Sequence, residues 1–132
     1  MIHPSFETAC DRLSSAVDHA QFERLRWART EAPMLARLME LAQGAVAERP
    51  DFDLTEEGSV AAVKRFVLKV HGFRIVAVNF GLDQGHALVW AEAIDRSSYK
   101  VAEGDPVSAD FAAVDEAWMA AALEAQFARV RG

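Results

Sequence analysis

Residues 73–96 constrain this chain more than any other stretch. They read FRIVAVNFGL, then DQG, then HALVWAEAIDR. The two outer runs are rich in β-branched and aromatic side chains and the short break carries turn residues, which is the pattern of a β-hairpin. A three-residue loop, Asp83-Gln84-Gly85, is expected, with Gly85 in the left-handed region and Asp83 accepting local backbone N–H bonds. With Leu82 facing His86, this pairing sets Phe80 opposite Leu88, Val78 opposite Trp90, Val76 opposite Glu92 and Arg74 opposite Ile94. The other face carries Phe73, Ile75 and Ala77 with Ala87, Val89, Ala91 and Ala93. Both faces are largely apolar, so neither can look freely into water, and a lone two-stranded hairpin is marginal. Helices on both sides, a third strand such as SSYKVA (97–102), or a second subunit must complete it.

The flanking sequence supplies helices. Over 5–48 the spacing of Phe6, Cys10, Leu13, Val17 and Ala20 marks one helical face, with Ser5 as its N-cap. The stripe changes phase near Asp18 and His19, which predicts a break. Thr30 can cap a further helix with an inward stripe of Leu35, Leu38, Met39, Ala42, Ala45 and Val46, ended before Pro50. Residues 55–71 read as another helix: Thr55 at the N-cap, Glu56 and Glu57 in the first turn, cations near the end and Gly72 as a left-handed terminator. Val60, Val63, Phe66, Val67 and Val70 form its stripe. The alternative makes 63–70 a strand turning at His71-Gly72; the capping pattern and charge order favour helix. Asp105 with Pro106 predicts the start of a C-terminal helix over 106–130, apolar on two sides. The expected architecture is α+β and mostly helical: a single domain, 1–132, of four to five helices packed on an antiparallel hairpin or a three-stranded sheet.

Composition narrows function by exclusion. A chain of 132 residues with 52% apolar and 26% charged residues is globular, not disordered. A net charge of −6 disfavours general nucleic-acid binding. One cysteine cannot close an intrachain disulfide, and the N-terminus lacks a basic-then-apolar leader, so a cytoplasmic location is expected. No run approaches the ~20 apolar residues of a membrane span.

Candidate chemistry is dispersed. There is no Walker loop, GxGxxG, CxxC pair, HExxH or GxSxG, so no catalytic residue, metal ligand or cofactor is assigned. His19 and Glu23 have a ligand-like spacing that ordinary solvated helices share, and Cys10 fits a buried, inert thiol. Arg24, Arg26 and Arg29 around Trp27 form a solvated face. KRFVLKVHGFR (64–74) is the strongest basic segment, fitting cations near a helix end or a site for an anionic ligand. The candidate ligand-binding residues are Arg74, Asn79, Trp90 and Glu92. Glu92 stands among apolar neighbours and needs a partner if buried, and Arg74 lies diagonally across from it in the expected pairing. The functional expectation is a non-enzymatic interaction or regulatory protein that self-associates as a homodimer and engages a further protein partner. The alternative is a ligand-binding domain or enzyme with a pocket between hairpin and helices.

Overall fold

The computed structural model describes residues 3–60 and 62–132; Met1, Ile2 and Ala61, the last within the helix expected over 55–71, lie outside the described residues. The chain divides into two compact units, the first ending at Met34 and the second running Leu35–Gly132. In the first, α1 (Pro4–Val17) and α2 (His19–Arg29) meet at Asp18, whose extended backbone breaks the helix and whose carboxylate accepts from Gln21 N at 3.1 Å. The expected break is therefore present, made by an N-cap. The cap of α1 is His3 with Pro4 in the first turn, not Ser5. α3 (Glu31–Val46) begins in this unit and passes into the second.

The second unit is organised by a sheet. β1 (Phe52–Glu56), β2 (Val63–Val70), β3 (Phe73–Asp83), β4 (His86–Glu92) and β6 (Val107–Asp110) make five antiparallel strands in the order β1-β2-β3-β4-β6. A second ladder joins β5 (Lys100–Val101) to β7 (Val130–Arg131). A short 3₁₀ turn (Phe111–Ala113) precedes α4 (Glu116–Phe127). The expectation of four to five helices on a hairpin is thus corrected. The hairpin is the middle of a five-stranded sheet, and residues 55–71 contribute the end of β1 and the whole of β2.

The physical reason lies in pairing. Thr55 pairs with Val67 across β1 and β2 instead of capping a helix, and Val63, Phe66, Val67 and Val70 place β-branched and aromatic groups on a pleated surface. His71 (φ 51°) and Gly72 (φ 79°) form a two-residue turn of the type that matches strand twist, and Gly72 is a turn residue, not a helix terminator. Pairing on both edges of β2 outweighs a capping pattern that is only local. The C-terminal helix is corrected likewise. Residues 107–110 form an edge strand, with Pro106 before it, and α4 starts later, where Asp115 accepts from Trp118 N at 2.8 Å.

The β3–β4 loop also differs from expectation, with a consequence for every side chain beyond it. Asp83 pairs with His86, and Gln84 (φ 47°) with Gly85 (φ 78°) form a two-residue turn. The register is one residue away from the expected one: Phe80 faces Val89, Asn79 faces Trp90 and Ala77 faces Glu92. A slip of one residue exchanges the two faces of a strand. One face of the sheet therefore gathers Leu54, Phe66, Leu68, Val76, Val78, Phe80, Ala87, Val89 and Ala91, all buried. With Leu35, Leu38, Leu41 and Ala42 of α3 and Met119, Ala122 and Leu123 of α4 they form the core. Phe66 meets Phe80 edge to face at 6.0 Å, and Phe52 meets Phe127 of α4 at 5.8 Å. The helix-side face of the hairpin is thus covered within this unit, and of the two apolar stripes of α4 the one with Met119 and Leu123 is buried while Ala121, Ala125 and Ala128 of the other are exposed.

A two-residue turn with both residues left-handed favours Asn-Gly. Gln84→Asn is expected to stabilise the fold by about 0.5–1 kcal/mol. Urea unfolding checks it: a lowered midpoint contradicts the turn described.

Candidate functional site

Directly paired residues share a face, so the register collects a second set of side chains opposite the helices. Across β2, β3 and β4 this face carries Val63, Arg65 and Val67, then Ala77, Asn79 and Gly81, then Leu88, Trp90 and Glu92. Three of the four expected binding residues, Asn79, Trp90 and Glu92, therefore come together. The fourth, Arg74, is at the β2–β3 turn, where it pairs with Lys69 beside a bulge that leaves Ile75 outside the register.

Arg74 is not the partner of Glu92. Arg65, two strands away, donates Nε to Glu92 Oε1 at 2.6 Å and Nη1 to the carbonyl of Glu57 at 3.2 Å. Arg65 reaches Glu92 by crossing β3, and its side chain lies against Gly58 (φ 79°), where a Cβ would sit 3.1 Å from Nη1. Arg74 instead donates Nη1 to Glu57 Oε2 at 2.7 Å. Arg65 was hidden by the helix reading of 63–71; the alternate strand reading carried the signal, since it places Arg65 on one face with Val63 and Val67.

Trp90 lies over Gly81, whose absent side chain makes room: a Cβ there would meet the indole at 3.2 and 3.3 Å. Asn79 beside it is 4% exposed, and its Nδ2 is buried without a hydrogen-bond partner. A buried donor left unmatched is costly, and such groups in native proteins ask for an explanation. Chemically, this face presents a flat, half-buried aromatic surface and a carboxylate already neutralised by a guanidinium, with the unmatched amide nitrogen of Asn79 buried among them. The ion pair with Arg65 leaves Glu92 poorly placed as an acid or base.

An open cleft of about 700 Å³ reaches Glu92 from the edge of β4, lined also by Glu103, Asp105 and Arg129. β6 ends before Ala91, and Gln126 of α4 takes over there, its Oε1 accepting from Ala91 N at 3.0 Å and from Arg129 Nη1 at 3.0 Å. Asn79 and Trp90 do not line this cleft.

The remaining candidates resolve into local structure. His19 Nδ1 shares a hydrogen bond with Ser15 Oγ at 2.9 Å, and Glu23 pairs with Arg26, which also holds Glu31 at 2.8 Å. Among the described residues no group of three or more His, Cys, Asp or Glu side chains is arranged to hold a metal ion. Cys10 is exposed, correcting the expectation of a buried thiol. No helix among the described residues is long and apolar enough to cross a membrane. No protein-family model, curated protein or solved structure matches the chain.

Two outcomes follow from this face. Removing the unmatched amide with Asn79→Val is expected to raise stability by about 1–2 kcal/mol in urea unfolding; a loss of similar size contradicts a wasted donor. The second concerns pH. The Arg74 hydrogen bond, against the opposing effect of burial and with the charges of Arg74, Lys69 and Arg65, holds the Glu57 carboxyl below its ordinary value. A carboxyl more acidic in the folded state adds stability above its unfolded pKa of about 4.3, and that contribution disappears as pH falls through the lowered folded value. Glu57→Gln is thus expected to lower the urea midpoint at pH 6 and to converge with the parent protein at strongly acidic pH. A constant difference across the range contradicts the pairing.

Proposed function

We propose that the chain is a small interaction protein that self-associates through α1. One observation carries this reading: Phe6, Leu13 and Val17, on one stripe of α1, are 64%, 68% and 78% exposed, and neither α1 nor α2 has a buried residue. Helices of 14 and 11 residues are marginal in water unless an apolar face is packed. Leu25 of α2, also exposed, extends the apolar surface of the unit.

A second copy suits the stripe because the stripe is self-complementary. A two-fold axis between Asp11 and Arg12 would set α1 antiparallel to its partner, Phe6 against Val17 and Leu13 against the smaller Cys10, with Ala9 and Ala16 permitting close approach. A helix of this length, about 21 Å, offers less area than the ~800 Å² per partner of a stable standard interface. The dimer is therefore expected to depend on concentration in the micromolar range. The single exposed thiol suits a reducing, cytoplasmic setting, and the net charge of −6 points to a protein partner over a nucleic acid.

A second reading is favoured by a different observation. The buried, unpartnered amide of Asn79 beside Trp90 and the Arg65–Glu92 pair suits a small ligand bearing a hydrogen-bond acceptor.

Native mass spectrometry over a range of micromolar concentrations tests the first reading. Twice the 14.5 kDa chain mass is expected, and Leu13→Asp, at a solvent-exposed position, should return the monomer with the sheet unit still folded and any loss of helix signal limited to α1 and α2. A monomer throughout, or a dimer indifferent to Leu13→Asp, overturns self-association by α1. A monomer with an adduct lost on denaturation supports the ligand reading instead.

A further inference from the structure

The basic segment 64–74 ends at the β2–β3 turn, and there the fold builds a cationic cleft. The loop after β4 is tied to the start of β3, Ser97 Oγ donating to the carbonyl of Ile75 at 2.6 Å and accepting from Tyr99 N at 3.1 Å. Between this loop and the turn lies a cleft of about 640 Å³, to which His71, Phe73, Arg74, Arg96, Ser98 and Tyr99 contribute. No carboxylate is among its lining residues, in a chain with six more acidic than basic residues. Of the carboxylates around it, Glu57 holds one edge of Arg74 and Asp51, near His71, is bonded twice by Arg49, while Asp95 precedes Arg96 in the chain without lining the cleft.

The backbone supplies an independent observation. Among the described residues three non-glycine residues occupy the left-handed region: His71 (φ 51°), Gln84 (φ 47°) and Arg96 (φ 63°). Two of the three line this cleft, and both carry a basic side chain. Glycine or asparagine holds this conformation more easily; at His71 the two-residue β2–β3 turn requires it, whereas Arg96 lies in the loop after β4, where the chain keeps a basic side chain on a left-handed backbone at the edge of this space. Strain of this kind collects at ligand-binding sites.

We propose that the cleft binds a phosphate monoester. Arg96 and the free edge of Arg74 can offer paired N–H donors to phosphate oxygens, a geometry guanidinium groups fit well, with His71 and the Ser98 hydroxyl as further donors. Phe73, 71% exposed at the strand end, and Tyr99 give a carrier with a flat apolar part something to lie against. This assignment is independent of self-association by α1.

The test is a two-dimensional amide NMR titration of the full chain with phenyl phosphate and, separately, with inorganic phosphate at 150 mM NaCl. Saturable shifts confined to residues 70–75 and 95–99 are expected, with phenyl phosphate binding at least severalfold more tightly. Arg96→Gly supplies the control for folding. It suits the left-handed backbone and should keep or raise the unfolding midpoint while weakening phenyl phosphate about tenfold. Arg96→Asn, equally tolerant of that backbone, should do the same. Shifts that are absent or scattered over the surface, or binding undiminished in Arg96→Gly, overturn the site. Equal binding of the two probes overturns the ester as its ligand.

Discussion

The pairing of β3 on both of its edges is the constraint from which the rest of the second unit follows. Eleven residues long, β3 takes β2 on one side and β4 on the other, and both connections are two-residue turns with left-handed backbones. Turns that short leave no freedom of register. Beyond the bulge, Val76, Val78 and Phe80 are thereby committed to the helices, and Ala77, Asn79 and Gly81 to the other face. Val76, Val78 and Phe80, all fully buried, make the core continuous with α3 and α4.

The same register explains the polar arrangement on the second face. Arg65, opposite Asn79, reaches diagonally to Glu92, opposite Ala77, so one ion pair bridges the outer two of three strands over a small residue. Trp90 requires a neighbour without a side chain, and Gly81 is that neighbour. Glycine within a strand usually weakens it, and here a close side-chain approach gives its reason. Asn79 alone is left without a complement. Its buried amide nitrogen, like that of Gln126 in α4, has no hydrogen-bond partner.

The hairpin was legible in the sequence because β-branched and aromatic runs around Asp83-Gln84-Gly85 are a local signal. Its register was not, because Gln84 is an unusual residue for a left-handed position and a three-residue loop ending in Gly85 suits the same letters equally well. The break at Asp18 was legible for the same reason as the hairpin: a cap acts within one turn. Residues 55–71 misled because Thr55, Glu56, Glu57 and Gly72 imitate helix ends, whereas the strands they occupy are stabilised by partners distant in sequence. Asn79, Trp90 and Glu92 were recognisable as polar or amphipathic groups in apolar runs. The identity of the cation opposite Glu92 depended on the register and on the strand character of 63–70, and so passed from Arg74 to Arg65. The N-terminal helices show the reverse case. Their apolar stripe was correctly periodic, yet periodicity tells which side chains share a face and not whether anything packs on it.

The register of β3 against β4 can be read from a single nuclear Overhauser experiment on the indole of Trp90. Strong cross-peaks from its six-membered ring to the α protons of Gly81, with one of those protons shifted upfield by the ring current, are the expected result. Cross-peaks from the indole to Val78 and to the buried side chains of α3 or α4 would place Trp90 on the helix face, in the register set by a three-residue loop, and would contradict both the turn at Gln84-Gly85 and the site built on it.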